Sequence, residues 1–277
     1  MRFAKMHGLG NDFVMVNGFQ EQLPDDLNSL AVAVCDRHLG LGADGLIVLC
    51  PATRADAVAR FLIYNDDGSQ AESCGNGLRC AALFAKKEGI TDQDTFTFEL
   101  INGIAKPSVL DWQQGIVRVD MDEPRLAPAQ IPALFIGKQV VSHPLPVGSQ
   151  TYAVTLVSMG NPHCVIFVDN TAAFPVTEIG PLIETNPAFP EKTNVEFIKV
   201  LSSSCLEMRV WERGCGETLA CGTGACAATV AAYLNGYADR SVEVMLKHGP
   251  LQIEWADNNH VYLTGPATLV AEGDYQL

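Results

Sequence analysis

One short string occurs twice in this chain, and it limits the possible folds more than any other feature. Cys74-Gly75-Asn76-Gly77 opens the run LRCAALFAKKEG, and Cys221-Gly222-Thr223-Gly224 opens ACAATVAAYLNG, 147 residues later. Each copy is a C-G-x-G turn leading into an Ala-rich predicted helix. Each helix stops at a glycine, Gly89 or Gly236, a usual C-terminal signal. At the same offset FLIYND (61–66) faces MRVWER (208–213), which sets Asn65 against Glu212. A third echo lies near the start of each half. Gly10-Asn11-Asp12-Phe13 precedes VMV, and Gly160-Asn161-Pro162-His163 precedes CVIFV, 150 residues on. A single Gly motif can match by chance. Three echoes in one order at nearly one offset indicate a duplicated domain.

The rest of the pattern fits two such halves. Runs rich in Val, Ile, Phe and Thr recur, among them FVMVN, GLIVLC, RFLIYN, TFTFEL, IVRVDM, YAVTLV, CVIFVD, VEFIKV, LEMRVWE, VEVMLK, LQIEW and HVYLTG. Short turns such as DDG and DNN separate many of them, which predicts antiparallel pairing. Helices are few: about 28–38, 75–88, one near 178–186, and 222–235. The expected fold is α/β (α+β): two pseudo-symmetric domains, each a curved antiparallel sheet around a central helix. The first domain is expected over 1–121, joined by a C-terminal strand at 267–277. The second is expected over 122–266, beyond the Pro-containing MDEPRLAP stretch.

Composition removes several function classes. The 277 residues suggest about two domains. With 18 Lys+Arg against 32 Asp+Glu the formal charge is −14. Such a chain lacks the cations for general phosphate contacts and is repelled by anionic membrane surfaces. MRFAKMHGLGNDF does not read as a signal peptide. The uncharged stretch between Glu217 and Asp239 is long enough to span a bilayer, but its Gly, Asn, Ala, Thr and Cys content reads as a buried core helix. Nine cysteines, an odd number without C-x-x-C, point to reduced thiols in the cytoplasm rather than to disulfides or a zinc ribbon. No metal site is expected. Gly40-Leu41-Gly42-Ala43-Asp44-Gly45 matches G-x-G-x-x-G, yet a helix precedes it and a strand follows. A dinucleotide site needs the reverse order, so this is read as a helix cap and turn.

Cys74 and Cys221 carry the chemistry. A helix N-terminus presents unpaired N–H groups and partial positive charge. It binds carboxylates, and it lowers the pKa of a cysteine placed there. Two thiols flanking one amino acid can invert its α-carbon: one removes the proton and the other returns a proton to the opposite face. Charge on the carbanion then spreads into a carboxylate already faced by amide donors, so no cofactor is needed. Two buried structural cysteines are the bland alternative. A disulfide or metal pair recruiting Cys80, Cys215 or Cys226 is another, although their spacing matches no common zinc pattern. Near the thiols in sequence lie His163 and Glu212, able to shuttle a proton, and Arg213, suited to a second carboxylate. Asn11, Asn65, Asn161 and Asn194 stand at strand ends, able to bind ammonium and carboxylate.

Five strings together resemble diaminopimelate epimerase: MHGLGNDF (6–13), NDDGSQAESCGNGLRC (65–80), SMGNPHCV (158–165), NVEF (194–197) and WERGCGETLACGTGA (211–225). The resemblance runs along the whole chain in the family's order. It implies a cofactor-independent epimerase interconverting LL- and meso-2,6-diaminopimelate, on the route to lysine and peptidoglycan, with its site in the cleft between the domains. It implies Cys74 and Cys221 as the acid/base pair, with His163 and Glu212 tuning the thiols. Asn11, Asn65, Asn161, Asn194, Glu212 and Arg213 then bind substrate, together with the backbone at Gly75-Asn76 and Gly222-Thr223. Arg213 would hold the distal, non-reacting centre. Family members are often homodimers. Some carry Gln where this chain has Gly45, so a side-chain contact there is not carried over. Two alternatives stay open: a proline racemase or hydroxyproline epimerase, which shares the two-cysteine plan, and a non-catalytic binding module.

Overall fold

The computed structural model describes residues 1–72 and 74–276. The chain divides into two compact units, Met1–Asp120 with the chain from Thr264 onward, and Met121–Leu263.

The first unit contains β1 (Arg2–Gly8), β2 (Asn11–Asn17), α1 (Leu27–Cys35), β3 (Gly45–Cys50), β4 (Ala59–Asn65), β5 (Gln70–Ala71), α2 (Gly75–Lys87), β6 (Phe98–Leu100), β7 (Gly103–Ala105), β8 (Pro107–Asp111) and β9 (Ile116–Asp120). The second contains β10 (His143–Val147), β11 (Gln150–Ser158), β12 (Pro162–Phe167), α3 (Val176–Glu184), β13 (Asn194–Ser202), β14 (Cys205–Glu212), β15 (Gly216–Thr218), α4 (Gly222–Leu234), β16 (Ser241–Leu246) and β17 (Gly249–Trp255). After these come β18 (Val261–Pro266) and β19 (Thr268–Asp274), and β19 pairs antiparallel with β1.

The duplication is visible in the strand order. The first unit runs β19-β1-β2-β3-β4-β6-β7, with β5 paired to β4 off the path. The second runs β10-β11-β12-β13-β14-β16-β17, with β15 paired to β14. Over these seven strands the two orders correspond, and the second sheet continues past β17. They differ from the antiparallel expectation at four places: β2–β3, β4–β6, β12–β13 and β14–β16 are parallel. Each of these connections contains an α-helix: α1, α2, α3 and α4 in turn. A parallel neighbour needs such a crossover, whereas a short turn gives an antiparallel one.

The two Ala-rich helices sit at the core of their units. Every residue of α2 from Gly75 to Ala85 is buried, and Ala225, Ala227, Ala228, Ala231 and Ala232 of α4 are fully buried. On α4 small side chains face most directions, whereas α2 also buries Leu78, Arg79, Leu83 and Phe84. Both helices end on a left-handed glycine, Gly89 (φ 69°) and Gly236 (φ 71°). The following N–H groups of Ile90 and Tyr237 turn back to the Ala85 and Ala232 carbonyls, each at 2.9 Å. Helix α1 is shorter than its pattern predicts. Asp36 accepts the His38 and Leu39 N–H groups at 2.7 Å, and this local turn ends the helix at Cys35. Among the described residues no helix is long and apolar enough to cross a membrane.

Candidate active site

In the first unit Cys74 is the N-cap of α2, and its sulfur accepts the Gly77 N–H at 3.5 Å. Gly75 and Asn76 open the buried first turn, where backbone N–H groups lack intrahelical partners. Asn11, at the start of β2, turns its Oδ1 to this turn. It lies 3.8 Å from the Cys74 sulfur and accepts from Asn76 Nδ2 at 3.1 Å. Asp44 fixes that orientation: its Oδ2 accepts from Asn11 Nδ2 at 2.8 Å and from the Asp12 N–H at 3.0 Å. Arg37 bridges Asp44 and Asp12, and Lys5 pairs with Asp12 at 2.7 Å. Burial works to raise the Asp12 carboxyl, but Arg37 and Lys5 outweigh it and hold it below the usual carboxylate range. Asn65 is exposed at the end of β4 and bonds to Ser69 Oγ at 2.9 Å within its own turn.

Gly45 pairs with Asn65 in the β3–β4 ladder, and a Cβ built on it would lie 2.7 Å from the Tyr64 carbonyl oxygen. The backbone there has no room for a side chain.

In the second unit Cys221 is the N-cap of α4, with Thr223 Oγ1 3.5 Å from its sulfur. Asn161 Nδ2 donates to Thr223 Oγ1 at 3.3 Å, and Asn161 Oδ1 faces His163 Nε2 at 3.0 Å. The other ring nitrogen, Nδ1, is 2.6 Å from Glu196 Oε1. Glu212 accepts from the Thr218 hydroxyl and from the Cys221 thiol. Gly222 and Thr223 form the first turn of α4, as Gly75 and Asn76 do in α2. Asn194 acts as a brace: its Nδ2 donates to the Pro162 carbonyl at 2.8 Å and its Oδ1 accepts the Arg213 N–H at 2.9 Å. The Arg213 guanidinium is exposed and donates to the Glu191 carbonyl at 3.2 Å.

The electrostatics correct one expectation. Helix N-termini were expected to lower the thiol pKa. For Cys221 burial wins, pushing it well above its ordinary value, and the Glu212 and Glu196 carboxylates push the same way. Thr223 acts against them without prevailing. Burial also raises Glu212, opposed by Thr218, Cys221 and His163. Burial therefore favours the neutral thiol at Cys221, which donates to the Glu212 carboxyl group.

Three carboxylates were not singled out from the sequence. Asp44 orients Asn11, and Glu196 holds His163. Glu184 is buried in α3 and accepts from Trp211 Nε1 at 2.7 Å and the Gly214 N–H at 3.0 Å, bracing the turn that carries Glu212 and Arg213. Only Glu196 left a usable signal: a Glu set between Val195 and Phe197-Ile198 in a strand-like run, close to the predicted site residue Asn194.

The family model for diaminopimelate epimerase matches residues 3–127 and 155–270. The chain belongs to the diaminopimelate epimerase family. It is 52% identical to the diaminopimelate epimerase of Pelotomaculum thermopropionicum, over 99% of both chains. It is 51% identical to that of Moorella thermoacetica, over 100% of both. The fold extends to distant proteins. A hydroxyproline epimerase from Agrobacterium vitis superposes with TM-score 0.70 at 15% identity, over 99% of this chain and 91% of that one. A phenazine biosynthesis protein of the PhzF family from Bacillus anthracis gives 0.71 at 15%, over 100% and 99%. Membership of the family makes this chain an isomerase of the diaminopimelate epimerase type.

Proposed function

We propose that the protein interconverts LL- and meso-2,6-diaminopimelate by a two-base mechanism, with Cys74 and Cys221 acting on opposite faces of one α-carbon. The observation that carries this reading is the paired construction: each unit offers one cysteine as the N-cap of its buried central helix. In either direction one sulfur starts as thiolate and takes the α-proton, while the other starts as thiol and gives its own. The buried Cys221 thiol suits the donor role in the substrate-free protein, with Glu212 placed to exchange its proton. The N–H groups of Gly75-Asn76 and Gly222-Thr223 are the donors assigned to the reacting carboxylate. Asn11 and Asn161 line the two thiols, Asn65 and Asn194 serve the substrate's amino and carboxyl groups, and Arg213 takes the distal carboxylate. The pathway role that follows is supply of lysine and peptidoglycan precursors in the cytoplasm.

The test is incubation of the reduced protein with LL-diaminopimelate, without added cofactor, read by chiral chromatography. Formation of the meso isomer, lost in Cys74→Ser and in Cys221→Ser, is expected. Epimerisation that survives either substitution, or turnover of proline in place of diaminopimelate, would overturn the reading.

A further inference from the structure

The correspondence between the two units exposes an asymmetry directly beneath the second cysteine. Across the β2–β3 ladder Phe13 pairs with Gly45 and Met15 with Ile47. Across the corresponding β12–β13 ladder His163 pairs with Asn194 and Val165 with Glu196. His163 thus occupies the place of Phe13, and Glu196 that of Ile47. Contacts with the helices agree. A Cβ on Gly77 would meet Ile47 Cδ1 at 2.9 Å, and a Cβ on Gly224 would meet Glu196 Oε1 at 2.7 Å. All four side chains are buried, with His163 and Glu196 at 0% exposure.

The frame therefore does not need polar groups at these positions, since the first unit packs the same space with Phe and Ile. Burying a carboxylate costs free energy unless it is paired. Glu196 Oε1 is paired, but among the described residues Oε2 is buried with no hydrogen-bond partner. A group kept at such a cost, where the corresponding position of the other unit is apolar, calls for a function.

We propose that Glu196 is a positioning residue for the epimerase reaction. Its carboxylate holds the His163 ring in one orientation with a proton on Nδ1, leaving Nε2 as the exchanging nitrogen. From there the contacts run to Asn161 (3.0 Å), Thr223 (3.3 Å) and the Cys221 sulfur (3.5 Å). Both ring nitrogens face oxygens, so loss of the Nε2 proton obliges Asn161 to turn its amide. Glu196 thereby ties the protonation of His163 to the hydroxyl that touches Cys221. The ionisable groups that share this space are Glu212 on β14, Cys221 on α4 and Cys164 on β12. Gly224 belongs to the device, because any larger residue would displace the carboxylate.

This rests on the reading of Cys221 as an acid/base thiol, and the test separates the two. In Glu196→Gln the amide can accept from Nδ1–H or donate to Nδ1, so the ring is free to adopt both tautomers. Its kcat is expected to fall roughly 10- to 100-fold, by analogy with other groups that orient a working histidine. KM should stay within about twofold and the melting temperature unchanged. The 15N imidazole signals of His163 should show Nδ1 protonated throughout in the parent and only partly protonated in Glu196→Gln. A kcat within about threefold of the parent, or unchanged His163 signals, would overturn the proposal. A second variant guards against misfolding. His163→Phe with Glu196→Ile copies the first unit and is expected to fold and to be inactive; full activity in it would also overturn the proposal. If the parent chain does not epimerise diaminopimelate, the functional reading fails, and the imidazole spectra still decide the positioning claim.

Discussion

At the scale of single residues, the contest is between helix electrostatics and burial. Two cysteines at helix N-termini suggest easily formed thiolates. Burial reverses that for Cys221, and two nearby carboxylates add to the reversal. The sign gives a direct expectation. Replacing Glu212 by Gln removes one negative neighbour, so the Cys221 thiolate becomes easier to form. In a Cys74→Ser background, thiolate absorbance should then appear at lower pH than with Glu212 present; appearance at the same or higher pH would contradict the assignment. Asp12 gives a second expectation. Its native pKa is depressed by Arg37 and Lys5, so its contribution to stability is present above the ordinary carboxylate pKa. That contribution is lost as pH falls through the lower native value. Asp12→Asn should flatten the acid side of the stability curve between about pH 4 and the onset of acid unfolding, measured by denaturant titration.

At the scale of elements, glycines decide how closely backbones and helices approach. Gly45 on β3 lies against the Tyr64 carbonyl, with 2.7 Å available to a Cβ. Gly45→Ala should cost about 1–3 kcal/mol through strand displacement, read as a lower denaturation midpoint. A neutral result would mean that the β3–β4 ladder yields more easily than its geometry suggests. The elements also show where sequence reading succeeded. Helices α2 and α4 were legible because Ala-rich runs, C-G-x-G openings and terminal glycines coincide within a few residues. The repeated C-G-x-G strings exposed the duplication and placed both cysteines at helix starts. Sheet polarity was less legible, because strand patterning is the same for parallel and antiparallel neighbours. Only the intervening helices distinguish them. Glu196, Asp44 and Glu184 escaped because their partners, at His163, Asn11 and Gly214, are set by three-dimensional pairing rather than by spacing along the chain.

At the scale of the whole molecule, a duplicated fold has become chemically unequal in its halves. The strand orders match, the central helices match, and the cysteines match. What lies beneath those cysteines does not: Phe13 and Ile47 in one unit, His163 and Glu196 in the other. The last strand, β19, covers the edge of β1. Ending the chain at Ala267 should expose that edge, lower the melting temperature and promote association, seen by light scattering. A truncated chain as stable as the parent would assign β19 no structural weight. The central claim is that two thiols serve opposite faces of one carbon. The most direct measurement is epimerisation of LL-diaminopimelate in deuterated water, stopped at low conversion, with deuterium at the α-carbon measured separately in recovered substrate and in meso product. A two-base enzyme should label the product and leave the recovered substrate almost unlabelled. Equal labelling of both would mean that a single base serves both faces, and the paired-cysteine mechanism would be wrong.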